Sequence, residues 1–233
     1  MRTDFFDSID TEEKAYWLGF LAADGNVSRR GVIRLTLAAI DREHVESFGK
    51  AIGVAKPLPV RASATCRAFV SLAVGSVEMA GDLARHGIVP AKSLILRPWV
   101  GARGLMRHYW RGVFDGDGWL CRRTAGGWEL ELCGTEAIVR GFQAFVAANT
   151  GRRYGGVYPN KSIFRFQTGG LRGAQAIAGL LYADVTIALP RKRSLATAIG
   201  QEACRYGDHS QLTPTILAEL KQSLGTWKGL PQR

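Results

Sequence analysis

Two stretches of this chain follow one plan. Tyr16-Trp17-Leu18-Gly19-Phe20-Leu21-Ala22-Ala23-Asp24-Gly25 and Tyr109-Trp110-Arg111-Gly112-Val113-Phe114-Asp115-Gly116-Asp117-Gly118 share an aromatic pair, then a glycine, an apolar pair, a small residue and a closing Asp-Gly. Their aspartates, Asp24 and Asp117, lie 93 positions apart in a chain of 233 residues. A unit that recurs at about half the chain length restricts the fold to two related halves, each supplying one carboxylate.

The small residues say how the halves meet. Ala15, Gly19 and Ala23 fall on one face of the first helix, and His108, Gly112 and Gly116 form the same row in the second. Glycine inside a helix costs ~1 kcal/mol relative to alanine, and close approach of a second backbone is a reason to carry it. Helices packed through this row bring their C-terminal ends, and so Asp24 and Asp117, side by side. Two carboxylates ~4 Å apart repel by about 4 kcal/mol at an effective dielectric near 20, and the helix ends add partial negative charge. A divalent cation offsets both. Mg²⁺ fits, with Mn²⁺ as a substitute, because it takes a few carboxylate oxygens and fills its shell with water and phosphate. A lone Asp-Gly is only a helix stop and a turn; its repetition at a matched offset carries the functional reading.

Each copy continues in the same order: helix, two strands, helix, two strands, helix. In the first, Asp10 and Glu13 have capping-box spacing, and Gly25 is placed to close the helix in a left-handed conformation. Ile33, Leu35 and Leu37 alternate with Arg34 and Thr36 as in a half-buried strand. Residues 41–52 read as a helix, 60–74 as β-prone and 76–86 as a helix. In the second, helices are expected at 104–116, 135–149 and 172–182, strands at 119–123 and 128–133, and a β-prone stretch at 153–168. Each copy then reaches a proline-lysine element, Pro90-Ala91-Lys92 and Pro190-Arg191-Lys192. The expected divisions are 1–102, 103–200 and a tail, 201–233, with one short helix near 214–224.

Charge points to the partner. Thirty-one Lys and Arg against 20 Asp and Glu give a net +11, a surplus that attracts a polyanion through counterion release. Codon bias in a GC-rich genome explains a choice of arginine over lysine but not the net charge, so nucleic acid is the favoured partner. Cys66, Cys121, Cys133 and Cys204 are scattered, and His44, His86, His108 and His209 do not complete zinc-ligand spacing. No apolar run approaches the ~20 residues of a membrane span, and the N-terminus lacks the apolar core of a signal peptide. An intracellular protein is expected, in prokaryotic cytoplasm or nucleoid, or in an organelle.

The paired segments resemble the two motifs of a single-chain LAGLIDADG homing endonuclease. Trp17–Gly25 and Trp110–Gly118 align with the nine-residue pattern, with Gly19 and Gly112 at position three and Asp24 and Asp117 at position eight. Position six, usually acidic, is Ala22 in one copy and Asp115 in the other. The resemblance implies a mixed α/β fold of two pseudo-symmetric αββαββα halves packed through the motif helices, with antiparallel sheets forming a DNA-binding saddle. It implies a monomeric, metal-dependent nuclease in which Asp24 and Asp117 bind the metal and Lys92 and Lys192 organise catalytic water. A polar residue often found near the end of the second strand is replaced by Ala38 and Cys133. An exposed lysine that only meets solvent is the plainer reading of each lysine.

Under the same resemblance the outward faces of the sheets lie in the major groove of double-stranded DNA. Arg34, Thr36, Arg61, Thr65, Arg67 and Ser71 are the contacts expected from one half, and Arg122, Lys161, Arg165 and Gln167 from the other. Glu129 and Glu131 fall on the same outward face, where carboxylates have few groove partners. Unequal halves imply a long, non-palindromic target. The alternatives are a non-cleaving DNA-binding regulator on the same scaffold and an RNA-binding maturase. An intein-embedded nuclease is disfavoured because no splicing segments flank the motifs.

Overall fold

The first motif helix, α1 (Glu12–Ala23), begins one residue later than the capping-box spacing places it. Its N-cap is Thr11, whose hydroxyl accepts from the Lys14 amide at 3.2 Å, while Asp10 pairs with Lys14 Nζ at 2.9 Å. Thr11 has the extended backbone that aims a cap side chain at the open amides, and Asp10 stands outside it. Gly25 is not left-handed either: it opens β1 (Gly25–Val27), and a Cβ there would collide with the Leu21 carbonyl. The residue is needed for close passage of the chain against its own helix.

The computed structural model describes residues 1–63, 66–123 and 126–202. After β1 come β2 (Val32–Ala38), α2 (Arg42–Ala51), β3 (Arg61–Ser63), β4 (Cys66–Gly75) and α3 (Val77–Arg85). The strands pair antiparallel in the order β1-β2-β4-β3. Ile33, Leu35 and Leu37 are buried while Arg34, Thr36 and Ala38 are exposed, the alternation of a sheet packed on one side. A 3-10 turn, Lys92–Leu94, follows.

The second half repeats the plan: α4 (Met106–Asp117), β5 (Gly118–Arg122), β6 (Trp128–Gly134), α5 (Glu136–Thr150), β7 (Gly156–Asn160), β8 (Ile163–Gly169) and α6 (Leu171–Tyr182). Its order is β5-β6-β8-β7, again antiparallel. A further helix, α7 (Pro190–Gln201), stands where the first half has the 3-10 turn. The fold is therefore the mixed α/β arrangement of two four-stranded halves that the sequence implies. Thr65, the 214–224 helix and the rest of the expected tail lie outside the described residues.

The two motif helices form the seam, and their glycines are its closest points. A Cβ on Gly19 would run into the Tyr109 carbonyl, and one on Gly112 into the Tyr16 carbonyl. One turn on, a Cβ on Gly116 would meet that of Ala23. The tryptophan of each helix turns away from this contact into its own half. Trp17 packs on His44 and Phe48, and Trp110 on Phe142 and Phe145. Burying an aromatic of this kind stabilises by about 1.5–3 kcal/mol.

Candidate active site

The seam delivers both aspartates to one place. Asp24 caps α1 and Asp117 ends α4; the Cβ position of Gly116 is 3.4 Å from Asp24 Oδ2, so the second helix runs directly beside the first acid. Each carboxylate is open to solvent on one side and crowded by protein on the other. Crowding pushes the Asp117 carboxyl up to about 6, with the Asp24 charge adding to it and Lys92 and Lys192 opposing it. Asp24 is raised by the same burial, opposed first by Lys192 and then by Lys92. A cavity of about 180 Å³ opens beside Asp117, lined also by Lys92, Cys133 and Thr135.

The donor set suits a hard cation. Among the described residues no group of three His, Cys, Asp or Glu converges as a protein-only metal cage. Two carboxylates at one floor match an ion that takes few protein oxygens and completes its shell with water and phosphate.

Both lysines are buried rather than solvated, Lys92 at 6% and Lys192 at 2% exposure. Their bonding differs. Lys192, in the first turn of α7, donates to the carbonyls of Phe114 at 2.6 Å, Asp115 at 2.8 Å and Gly118 at 2.5 Å. These use all three ammonium hydrogens and gather carbonyls at the end of α4, where the Phe114 oxygen also accepts the Gly118 amide. Burial brings its pKa down to about 8. Lys92 donates once, to the Ala23 carbonyl at 3.2 Å, and keeps donors free toward the cavity. Burial lowers its pKa too, opposed by Asp117 and Asp24.

Sequence reasoning missed a buried polar network around position six. The Asp115 carboxylate accepts from Tyr182 Oη at 2.5 Å, Tyr16 Oη at 2.8 Å and the Leu189 amide at 2.7 Å. Because Tyr16 donates to Asp115, its hydroxyl accepts from His44 Nε2 at 2.8 Å. His44 is correspondingly neutral, its pKa brought down to about 4 by burial. Arg111, fully buried, donates to Glu12 at 2.7 Å and to the Ile187 carbonyl at 2.8 Å, while Glu12 also accepts the Thr186 amide. Arg191 grips both Asp41 oxygens at 3.2 Å. Residues 186–191 are thus fastened by four polar links, two of them to acids of the first half. The acid at position six was the one visible signal.

The sheets distribute the expected DNA contacts unevenly. Cross-strand partners share a face, so the pairs Thr36–Ser71, Arg34–Ala73 and Arg61–Phe69 put Arg34, Thr36, Arg61, Arg67 and Ser71 together on the outward face. Arg165 and Gln167 are outward in the second sheet, paired with Cys133 and Glu131. Arg122 pairs with buried Trp128 and so belongs to the opposite face at its strand end. Lys161 lies in the β7–β8 turn with φ 56. The structure also accounts for the two outward carboxylates. Glu129 accepts from Arg123 and Gln167, and Glu131 faces Arg165 Nη1 at 3.5 Å.

No protein-family model matches the sequence. No curated protein matches it either. Solved structures do. The I-LtrWI LAGLIDADG homing endonuclease bound to target DNA aligns at a TM-score of 0.55 and 10% identity over 97% of this chain and 98% of its own. The I-GzeII LAGLIDADG homing endonuclease in complex with DNA aligns at 0.52 and 11% over 97% and 100%. Full-length DUF199/WhiA from Thermatoga maritima aligns at 0.55 and 14%, over 96% of this chain and 72% of its own. At these identities the likeness is one of fold.

Proposed function

We propose that this chain is a monomeric, site-specific, divalent-metal-dependent endonuclease acting on both strands of a long, non-palindromic DNA duplex. The observation that carries it is the meeting of Asp24 and Asp117 at the floor between two sheets, with Lys92 and Lys192 buried beside them. Halves 1–102 and 103–200 would each address one arm of the target. Outward Arg34, Arg61, Arg67 and Arg165 suit phosphates and guanine edges. Asp24 and Asp117 would hold Mg²⁺ or Mn²⁺, and such an ion supplies an activated water and stabilises the leaving oxygen of a phosphodiester. Lys92, with free donors at the cavity, can hold a phosphate oxygen or a water there. Lys192 fixes the end of α4 and so the direction of Asp117. Among the described residues no helix is long and apolar enough to cross a membrane; an intracellular location goes with the proposed substrate.

A second reading, a non-cleaving DNA-binding regulator on the same fold, is favoured by one feature: the three donors of Lys192 are all taken. Cleavage of a randomised duplex library in Mg²⁺ by wild type, Asp24→Asn and Asp117→Asn decides. Double-strand cuts at one enriched long site, lost in both variants, are expected. Selective binding without a cut in Mg²⁺ or Mn²⁺ would overturn the nuclease in favour of the regulator, and competition by structured RNA would favour a maturase.

A further inference from the structure

The two sheets carry opposite charge at matched positions. In the first, Asn26 of β1 pairs with Arg34 of β2, and Arg34 with Ala73 of β4. In the second, Trp119 of β5 pairs with Glu131 of β6, and Glu131 with Gln167 of β8. Each row begins two residues after a motif aspartate, so the rows occupy equivalent places beside the floor. Arg34 is exposed and no described acid pairs with it, while Glu131 is partly exposed beside Arg165.

An acid on a face that meets a polyphosphate weakens attraction, so its presence calls for a reason. A carboxylate only accepts hydrogen bonds, and the groove partner that suits it is the cytosine N4 amine. A guanidinium only donates, and its match is guanine O6 and N7. Arg165 at 3.5 Å offsets and orients the Glu131 carboxylate without enclosing it.

We propose that Arg34 and Glu131 are a specificity-determining pair that reads the two arms of the duplex in opposite senses. Arg34 selects guanine, and Glu131 selects cytosine at the mirror-related position. This deepens the DNA reading above and rests on it. A palindromic duplex offers the same base at both places, so it satisfies one residue and opposes the other. The outward face of the second sheet is a discriminating surface more than an attracting one.

The test is binding. Duplexes bound from a randomised pool in calcium ions would be sequenced for wild type, Arg34→Gln and Glu131→Gln. Wild type should enrich an asymmetric site with guanine in one arm where the other has cytosine. Glu131→Gln should cut the cytosine preference about tenfold at that position alone, and Arg34→Gln should do the same to the guanine. Unchanged preferences in the untouched arm report that each variant is folded. An enriched site whose preferences are the same in wild type and Glu131→Gln, or one palindromic at these positions, overturns the inference and leaves the DNA reading standing. Failure of wild type to enrich any duplex overturns both.

Discussion

The seam between the halves is close to symmetric, whereas its flanks are not. Gly19 and Gly112 face each other's helices in the same manner, each against the carbonyl of the other's motif tyrosine. A few ångströms away the likeness ends. Position six is Ala22 on one side and Asp115 with three donors on the other. Lys92 makes one backbone bond from a 3-10 turn, and Lys192 makes three from a full helix. Backbone proximity tolerates no second solution, so both copies keep it. Side-chain chemistry around it has many solutions, and the copies have taken different ones.

The symmetric part is the easiest to break. Gly19→Ala and Gly112→Ala should each cost about 4 kcal/mol or more, and by similar amounts, because neither carbonyl can move without separating the helices. Denaturant unfolding of both variants measures this, and a large gap between them would show the seam to be less even than its geometry. The lysines should differ. Lys192→Met removes an ammonium that bonds three carbonyls and should lower stability by about 2–3 kcal/mol, against about 1 kcal/mol or less for Lys92→Met. Equal losses would erase the asymmetry.

The smallest effect concerns the acids. Asp117 titrates at about 6 in the folded protein against an ordinary value of 3.8, so folding favours its protonated form. The associated stability is complete below the ordinary value and is lost as pH rises through about 6. Asp117→Asn should therefore stabilise the protein at pH 8 in EDTA by about 1 kcal/mol, the shift being discounted for solvent on the open side. The gain should vanish below pH 4. Asp24→Asn should gain less. Urea titrations at the two pH values give the comparison.

What could be read in advance was whatever repeats. Two motif helices, the small-residue row and the alternating β2 and β6 strands all follow from period and spacing, and all formed where expected. The cap at Thr11 and the role of Gly25 escaped because spacing carries no backbone angle. Burial of Lys92 and Lys192 escaped because a lysine's acceptors here are main-chain carbonyls, which have no letter in the sequence. Asp115, Tyr16 and His44 come from three helices, so their meeting is a product of tertiary packing alone. Glu129 and Glu131 were visible as outward carboxylates, but the Arg123 and Gln167 that hold Glu129, and the Arg165 beside Glu131, appear only once the strand register is known.

The polar links across the seam also act as a pairing code. Shifted by the 93-residue repeat, Asp115 corresponds to Ala22 and Glu12 to Leu105. Two copies of the first half joined through the glycine row would turn Tyr16 toward an alanine, leaving its buried hydroxyl without the carboxylate. Two copies of the second would leave Arg111, a guanidinium with no solvent access, facing a leucine. An unmatched buried charge costs about 3–5 kcal/mol. Each half is therefore chemically committed to the other, and its twin makes a poor substitute.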